Sequence, residues 1–231
     1  MSPEQFLDRL AKKGPESVYL FLGPEGYNRE RCRRALLDAV LPAEEDRQDG
    51  YANHELDQIS LAAALDDARA MSLFASRRVI WLSRAELALP RGRSVESDDE
   101  GGGPAGVGLL GAYLRQPTPG TVVVIDCSRF EFEGEDKARL ERVQKFYSAV
   151  TAQVEFRPFA PEAARALAQS LAKSLKLQLG LAELALLLEA TGGDASRIVM
   201  EIEKLKLFVG DRNGYYATPA SAAKSGGTSF K

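Results

Sequence analysis

One stretch of the sequence joins a helical pattern to an apolar strand, and its residues are Ala68-Arg69-Ala70-Met71-Ser72-Leu73-Phe74-Ala75-Ser76-Arg77-Arg78-Val79-Ile80-Trp81-Leu82. Apolar residues recur at helical spacing over residues 61–71 behind Ser60, a residue type that caps helices, so we expect a helix there. The unbroken apolar run at residues 79–82 predicts a buried strand. Between these elements, Leu73 and Phe74 are either a plug in the core or an exposed anchor for a partner. The residues alone favour the core, because adjacent apolar side chains between elements are usually packed.

The alternation of helix and strand continues on both sides of this stretch. Further strands are predicted at residues 18–22, 51–56, 121–126 and 153–156, and further helices at 3–13, 27–41, 107–116 and 136–150. An acidic loop is expected after Pro42. This order predicts an α/β domain with right-handed crossovers and a five-stranded, mainly parallel sheet. The continuous apolar strands predict that helices cover both faces of the sheet.

Changes in composition suggest how the chain divides into domains. The α/β domain is expected to span residues 1–157, with a mobile insert at 90–106 that contains arginines, then acids, then glycines. Residues 158–212 are predicted to form a small three-helix domain, with helices at 161–175, 181–191 and 195–209 and short connections between them. The small polar residues of 213–231 predict a low-complexity tail.

The overall composition excludes several classes of function. The chain has 231 residues, with 30 Lys or Arg and 33 Asp or Glu, so it has no global positive charge for nucleic acid. One histidine, His54, and two cysteines, Cys32 and Cys127, leave little material for a metal or nucleophilic site. We expect His54 to be structural and both cysteines to be buried and reduced. No signal peptide and no apolar run near ~20 residues are present, which predicts a cytoplasmic protein with no membrane partner.

The turn after the first strand lies where a phosphate-binding loop would be, but its sequence does not suit phosphate. A phosphate-binding loop needs G-x-x-x-x-G-K-[ST], and the chain has Gly23-Pro24-Glu25-Gly26 with no Lys-Ser or Lys-Thr pair after it. Pro24 lacks an N–H donor and Glu25 would repel phosphate. We therefore expect this loop not to bind nucleotide and the chain to need no cofactor.

Other polar residues that could belong to a site have simpler explanations. Asp126 follows an apolar strand and is expected to be a loop or cap residue, since the third strand ends in Ser83-Arg84 without the acid that would hold magnesium. Arg129 is expected to be solvated. Asp194 is predicted to cap the last helix, and Arg197, one turn into that helix, could face the first domain. The basic side of helix 27–41 is predicted to face solvent and comprises Arg29, Arg31, Arg33 and Arg34.

The order of these parts resembles the delta subunit of the bacterial DNA polymerase III clamp loader. The resemblance covers about residues 16–212, and its most specific motif is Met71-Ser72-Leu73-Phe74-Ala75-Ser76-Arg77 before the third strand. Weaker motifs follow in the same order: Gln116-Pro117-Thr118-Pro119-Gly120, Val154-Glu155-Phe156-Arg157-Pro158, Gly192-Gly193-Asp194-Ala195-Ser196-Arg197 and Glu201-Ile202-Glu203-Lys204-Leu205.

The resemblance implies a fold, a function and a set of partners. It implies an AAA+-like α/β domain with a degenerate phosphate loop, a helical lid domain and a collar domain for assembly with the other clamp-loader subunits. The family binds the ring-shaped sliding clamp (beta) and opens it for loading onto primed DNA, without productive ATP binding. The clamp-binding residues correspond to Met71, Ser72, Leu73 and Phe74, of which the last two insert into the clamp, and Arg197 corresponds to a sensor-like residue of the lid. Polymerase (nucleotidyltransferase) chemistry belongs to another subunit, so no catalytic site is expected here.

Two departures from the family pattern leave alternatives open. The collar domain is missing, since the chain ends in the predicted tail, and the insert at 90–106 is not part of the pattern. One alternative is an AAA+-type ATPase with an atypical nucleotide loop. Another is an interaction module unrelated to replication, in which Leu73 and Phe74 belong to the core.

Overall fold

The structure, a computed structural model, describes residues 1–72, 75–89 and 104–209. Contacts within the chain define two compact units, Met1–Pro158 and a second unit that begins at Phe159. Leu73, Phe74, most of the insert predicted at 90–106 and the predicted tail lie outside the described residues.

A five-stranded parallel sheet forms the centre of the first unit. Its strands are β1 (Val18–Leu22), β2 (Tyr51–Glu55), β3 (Arg78–Ser83), β4 (Thr121–Cys127) and β5 (Gln153–Glu155). The spatial order is β2-β3-β4-β1-β5, and each pairing between neighbours is parallel. The predicted fold class, an AAA+-like sheet with flanking helices, is confirmed.

Six helices are described around this sheet. They are α1 (Pro3–Lys13), α2 (Gly26–Val40), α3 (Glu44–Gly50), α4 (Leu61–Arg69), α5 (Pro104–Arg115) and α6 (Lys137–Phe146). Alternate strand residues enter two separate cores: Leu20 and Ile80 pack into one, and Phe21 and Trp81 into the other. Both faces of the sheet are therefore covered, as the continuous apolar strands predicted.

Four helices differ from the sequence prediction by more than one residue. Helix α6 ends at Phe146 rather than at residue 150, because the backbone leaves the helical region at Tyr147. The predicted acidic loop after Pro42 contains α3, because the Asp46 carboxylate accepts the Ala43 N–H at 3.3 Å and three acidic residues in the first turn favour the helix dipole. Helix α4 ends at Arg69 rather than Met71, since the backbone is already extended at Ala70. Helix α5 begins at Pro104, inside the predicted insert.

The second unit contains α7 (Pro161–Ser174), α8 (Leu181–Thr191) and α9 (Ala195–Val209). Small and branched apolar residues from the three helices form its core, including Ala168, Leu184, Ile198 and Ile202. The turn between α8 and α9 uses two glycines with left-handed backbone, Gly192 at φ 62° and Gly193 at φ 74°. The predicted lid role of this unit stays a prediction.

Candidate functional site

Because the strands are parallel, their carboxyl ends all lie along one side of the sheet, here called the carboxyl edge, and their amino ends lie along the other, the amino edge. The carboxyl edge is formed by the loops that follow β1, β3 and β4, and it contains the degenerate phosphate loop. The amino edge is formed by the loops that precede the strands. It contains the anchor segment, residues 71–74, which lies between α4 and β3. The predicted phosphate loop and the described clamp-binding candidates, Met71 and Ser72, are therefore at opposite ends of one sheet.

At the carboxyl edge, the Glu25 carboxylate occupies the amino end of α2. It accepts the Tyr27 N–H at 2.7 Å and the Asn28 N–H at 2.9 Å, and Glu25 is buried. Backbone N–H groups at the start of a helix are the groups that bind phosphate in nucleotide-binding folds. In this chain an internal carboxylate takes those donors. The sequence indicated repulsion of phosphate by Glu25, but not this direct occupation.

Aromatic side chains cover the glycine that begins the same loop. Gly23 has φ 99°, and a Cβ at this position would lie 2.3 Å from the Phe132 ring and 2.5 Å from the Phe156 carbonyl oxygen. The Arg157 guanidinium in turn lies 4.0 Å from the centre of the Phe132 ring. The Phe132 ring and the Phe156 carbonyl oxygen therefore pack against Gly23 and leave no room for a side chain at this position.

Arg29 and Asp126 form a largely buried ion pair at the carboxyl edge. The Arg29 guanidinium donates to the Asp126 carboxylate and to the Gly23 carbonyl oxygen, and it stacks on Phe156 at 4.6 Å. The Trp81 indole N–H donates to the second Asp126 oxygen at 3.0 Å. Burial raises the pKa of Asp126, and the Arg29 guanidinium and the Trp81 hydrogen bond oppose this rise.

Two predictions about these residues were wrong. Asp126 is not a loop or cap residue but a buried member of β4. Arg29 does not face solvent, because the side chain is only 12% exposed in its ion pair. Two features of the sequence could have indicated this ion pair. They are an acid at the end of an otherwise apolar strand and an arginine in the first turn of the helix after β1.

The remaining arginines of α2 divide into packed and exposed members. Arg33 lies 5.2 Å from the centre of the Trp81 ring system and donates to the Tyr51 hydroxyl at 2.7 Å. Arg31 donates to the Asn28 side chain at 2.7 Å. Arg31 is exposed, and Arg34 is exposed and pairs with Glu30. The prediction of a solvated basic side is therefore correct for these two residues, whereas Arg33 is partly buried and Arg29 is largely buried.

Glu86 is a buried acid at the carboxyl edge that the sequence analysis missed. It lies in a short 3-10 turn, Ala85–Ala88, directly after β3. Burial raises the pKa of Glu86, and its Oε2 has no hydrogen-bond partner among the residues described. The acid that would hold magnesium was expected at the strand end itself, where Arg84 (φ 56°) turns the chain. In the part of the chain that the structure describes, no three His, Cys, Asp or Glu side chains are grouped to hold a metal ion.

At the amino edge, the two described residues of the anchor segment are an exposed Met71 and a partly buried Ser72. Met71 is 88% exposed. The Ser72 hydroxyl accepts the Ala75 N–H at 3.0 Å, so this hydrogen bond spans the two residues between them. Those two, Leu73 and Phe74, lie outside the described residues, and their assignment as clamp-binding residues stays a prediction.

A polar cluster that the sequence analysis did not identify lies at the base of the anchor segment. Arg78 donates through Nη1 to the carbonyl oxygens of Asp67 at 2.7 Å and Ala70 at 3.0 Å. Its Nη2 donates to the Asp67 carboxylate at 2.9 Å. The other oxygen of that carboxylate is 2.8 Å from His54 Nε2, which gives His54 the structural contact that was predicted for it.

The other predicted residues have the following places. Cys32 and Cys127 are buried, and Arg129 is exposed, as predicted. Asp194 accepts the Arg197 N–H at 2.8 Å, which confirms its role as a helix cap. The Arg197 side chain is exposed in the second unit, and its predicted relation to the first domain stays a prediction.

Comparison with solved structures identifies proteins that share this fold. The Bacillus subtilis DNA clamp loader delta protein (YqeN) matches 91% of the chain at 21% sequence identity, with a TM-score of 0.60. The RuvB Holliday junction branch migration motor of Thermotoga maritima matches 90% at 10% identity, with a TM-score of 0.51. This chain spans only 59% and 60% of the lengths of those two chains.

These likenesses define the class of fold. The chain has an AAA+ fold, and the resemblance to clamp loader delta that the sequence motifs indicated is confirmed at the level of the fold. No family model and no curated protein sequence matches the chain. Among the described residues, no helix is long and apolar enough to cross a membrane.

Proposed function

We propose that this chain is a clamp-loader protein of the delta type, which binds a sliding clamp ring through the anchor segment and promotes its opening. The observation that carries the proposal is the fold of clamp loader delta over 91% of the chain, combined with the motif Met71-Ser72-Leu73-Phe74 in the loop before β3. The exposure of Met71 supports an outward-facing loop. In this proposal the chain works in the cytoplasm with other loader subunits, and it meets primed DNA within that assembly.

The energetics of such a contact are sufficient for ring binding. Burying one Leu or Phe side chain in a pocket contributes roughly 1.5–3 kcal/mol, and adjacent apolar anchors at an interface centre act as a hot spot. Opening follows if the ring conformation that fits the anchor segment best is incompatible with a closed ring interface. Binding then shifts the ring population by the difference in affinity for the two conformations.

We propose further that the chain neither binds ATP productively nor hydrolyses it. The carboxyl edge supports this proposal, because Glu25 takes the helix N–H groups and Phe132 packs on Gly23. The sequence also lacks the lysine and hydroxyl that phosphate and magnesium need after this loop. The RuvB motor shares the fold only, and the residues on the carboxyl edge of this chain do not favour the ATPase alternative.

The decisive experiment removes the two proposed anchor side chains. We expect Leu73→Ala with Phe74→Ala to weaken binding to a purified bacterial sliding clamp by roughly 100-fold or more, as for hot-spot residues. The thermal unfolding midpoint should stay within about 2 °C, because in this proposal neither side chain belongs to the core. Binding is measured by surface plasmon resonance or calorimetry, and unfolding by circular dichroism.

The chain contains a matched control for this experiment. Leu207 and Phe208 form another adjacent Leu-Phe pair, 83% and 82% exposed on α9. Their replacement by alanine removes the same apolar groups and should leave ring binding unchanged. If the Leu73 and Phe74 variant binds like the wild type, the proposed function is wrong. A loss of several kcal/mol of folding stability would show instead that the pair belongs to the core.

The sensor-like assignment of Arg197 is proposed only within the assembled loader. Its side chain is exposed in the second unit, so Arg197→Ala should not change binding to the isolated ring. A change in ATP-dependent ring loading by a reconstituted loader would support the assignment, and an unchanged loading rate would refute it.

A further inference from the structure

The two ends of the anchor segment are joined by one side chain. Arg78 is the first residue of β3, after the segment, and it reaches back to the end of α4, before the segment. It donates to the carbonyl oxygens of Asp67 and Ala70, which belong to the last turn and the cap of that helix. The Asp67 carbonyl oxygen also accepts the Ala70 N–H at 3.0 Å, and a cation beside the last carbonyls of a helix interacts favourably with the helix dipole. Arg78 therefore connects the last turn of α4 to the start of β3.

A second strand holds this contact in place. The Asp67 carboxylate bridges Arg78 on β3 and His54 on β2, at 2.9 Å and 2.8 Å. The Arg78 side chain is only 13% exposed, so its hydrogen bonds are largely shielded from water. The base of the segment is thus connected to two neighbouring strands of the sheet.

The turn before β4 supports the segment from another side. Gly120 has φ 77°, and a Cβ there would lie 2.8 Å from the Ser76 carbonyl oxygen. The Arg78 N–H donates to the Gly120 carbonyl oxygen at 2.9 Å. The chain leaving the anchor segment is therefore fixed against the sheet at backbone level, whereas the chain entering it is fixed by the Arg78 side chain.

We infer that Arg78, together with Asp67, is a positioning residue for ring binding, which holds both ends of the anchor segment in the arrangement that the ring recognises. This inference rests on the proposed function. A loop held in its binding conformation loses less conformational entropy on association, so the same apolar contacts give a higher affinity. A guanidinium suits this task because its planar fork donates to several acceptors at once, which a lysine ammonium does not reproduce.

The test compares three substitutions near the segment. Arg78→Ala should weaken binding to a purified sliding clamp by about 10-fold, the loss expected for charge-assisted hydrogen bonds. Arg78→Lys should give an intermediate affinity, since it keeps the charge without the fork. Arg69→Ala is the control, because Arg69 lies close to the segment but pairs with the exposed Asp66, and it should bind like the wild type.

Hydrogen exchange separates positioning from a general loss of stability. In Arg78→Ala, the amides of residues 70–77 should exchange faster, while those of β3 and β4 keep their wild-type protection. Asp67→Asn is a milder variant that keeps the shape of the side chain, and it should show the same local change to a smaller degree, with roughly 2- to 3-fold weaker binding.

Each other outcome overturns the inference. Wild-type affinity in Arg78→Ala refutes it directly, as does full restoration by Arg78→Lys, which would mean that charge alone matters. Weaker binding with faster exchange throughout the sheet would show a purely structural role. If the wild-type chain does not bind the ring, the proposed function itself fails, whereas a normal wild type with an unaffected Arg78→Ala variant refutes only the positioning role.

Discussion

The carboxyl and amino edges of the sheet differ in how they treat their polar groups. The strand β1 spans five residues, so the two edges are separated by roughly 16 Å along the strands. At the carboxyl edge, where α/β folds usually bind ligands, Glu25 satisfies the helix N–H groups and Arg29 pairs with Asp126. At the amino edge, comparable polar contacts are made by Arg78 and Asp67, close to the exposed Met71. The same fold thus uses hydrogen bonds to satisfy the loops at one edge and to connect α4 with β3 at the other.

The largest effect is expected from breaking the ion pair at the carboxyl edge. Asp126→Ala leaves the Arg29 guanidinium buried without its counter-ion and should cost about 3–5 kcal/mol of unfolding free energy. Urea unfolding measures the loss. Asp38→Ala is the control, because Asp38 pairs with Arg47 at the surface and should change stability by less than about 0.5 kcal/mol. A similarly small loss of unfolding free energy for Asp126→Ala would show that the Arg29–Asp126 ion pair does not stabilise the fold.

A smaller effect is expected when the helix cap at the same edge is removed. Glu25→Ala should cost about 1 kcal/mol, because the Tyr27 and Asn28 N–H groups lose their acceptor. The variant should still show no binding of a fluorescent ATP analogue with magnesium, since Phe132 continues to cover Gly23. Glu30→Ala, an exposed acid on the same helix, serves as the control.

The ATP titration sharpens the comparison between the edges. Binding by the Glu25→Ala variant alone would mean that this one carboxylate closes the site. Tight magnesium-dependent binding by the wild type would refute the proposal that the carboxyl edge is closed to nucleotide.

The smallest effect is expected for the pH-dependent contribution of Asp67, at the amino edge, to folding stability. Burial raises the pKa of Asp67, but hydrogen bonds from His54 and Arg78 outweigh burial and leave the pKa below its usual range. A carboxyl group with a lowered folded-state pKa stabilises the fold at pH above its unfolded pKa, about 3.9, and this contribution disappears as the pH falls through the folded pKa. Because the Asp67 side chain is one-third exposed, the contribution should be below about 1 kcal/mol.

Replacement by an uncharged amide tests this dependence. The stability difference between the wild type and Asp67→Asn, measured by urea unfolding, should be largest at pH 6 and should shrink towards pH 3. Asp66→Asn is the neighbouring control, with an exposed carboxylate, and it should show a flatter profile. An equal stability difference at both pH values would mean that the Asp67 charge does not contribute to folding stability.

Local pattern was sufficient to predict most elements of the fold. The apolar runs predicted β1, β3 and β4, and β1 has the predicted bounds because Val18–Leu22 is apolar throughout and buried throughout. Helix α1 also has the predicted bounds, since Ser2 and Gln5 form a capping box and Gly14 ends the helix. Helix α3 was missed because its seven residues lack an apolar periodicity, and side-chain capping by Asp46 was not apparent from composition.

The sequence by itself determined the alternation of helix and strand, the degenerate phosphate loop and the motif of the anchor segment, because these depend on residues close together in the chain. Only the tertiary structure decided which polar groups meet. Arg29 and Asp126 are 97 positions apart, and they pair because β1 and β4 are neighbours in the sheet. Likewise, Arg78 reaches Ala70 and Asp67 because α4 ends beside the start of β3. Such contacts follow from strand order and register, so the Arg29–Asp126 ion pair and the Arg78–Asp67 cluster became visible only in the folded chain.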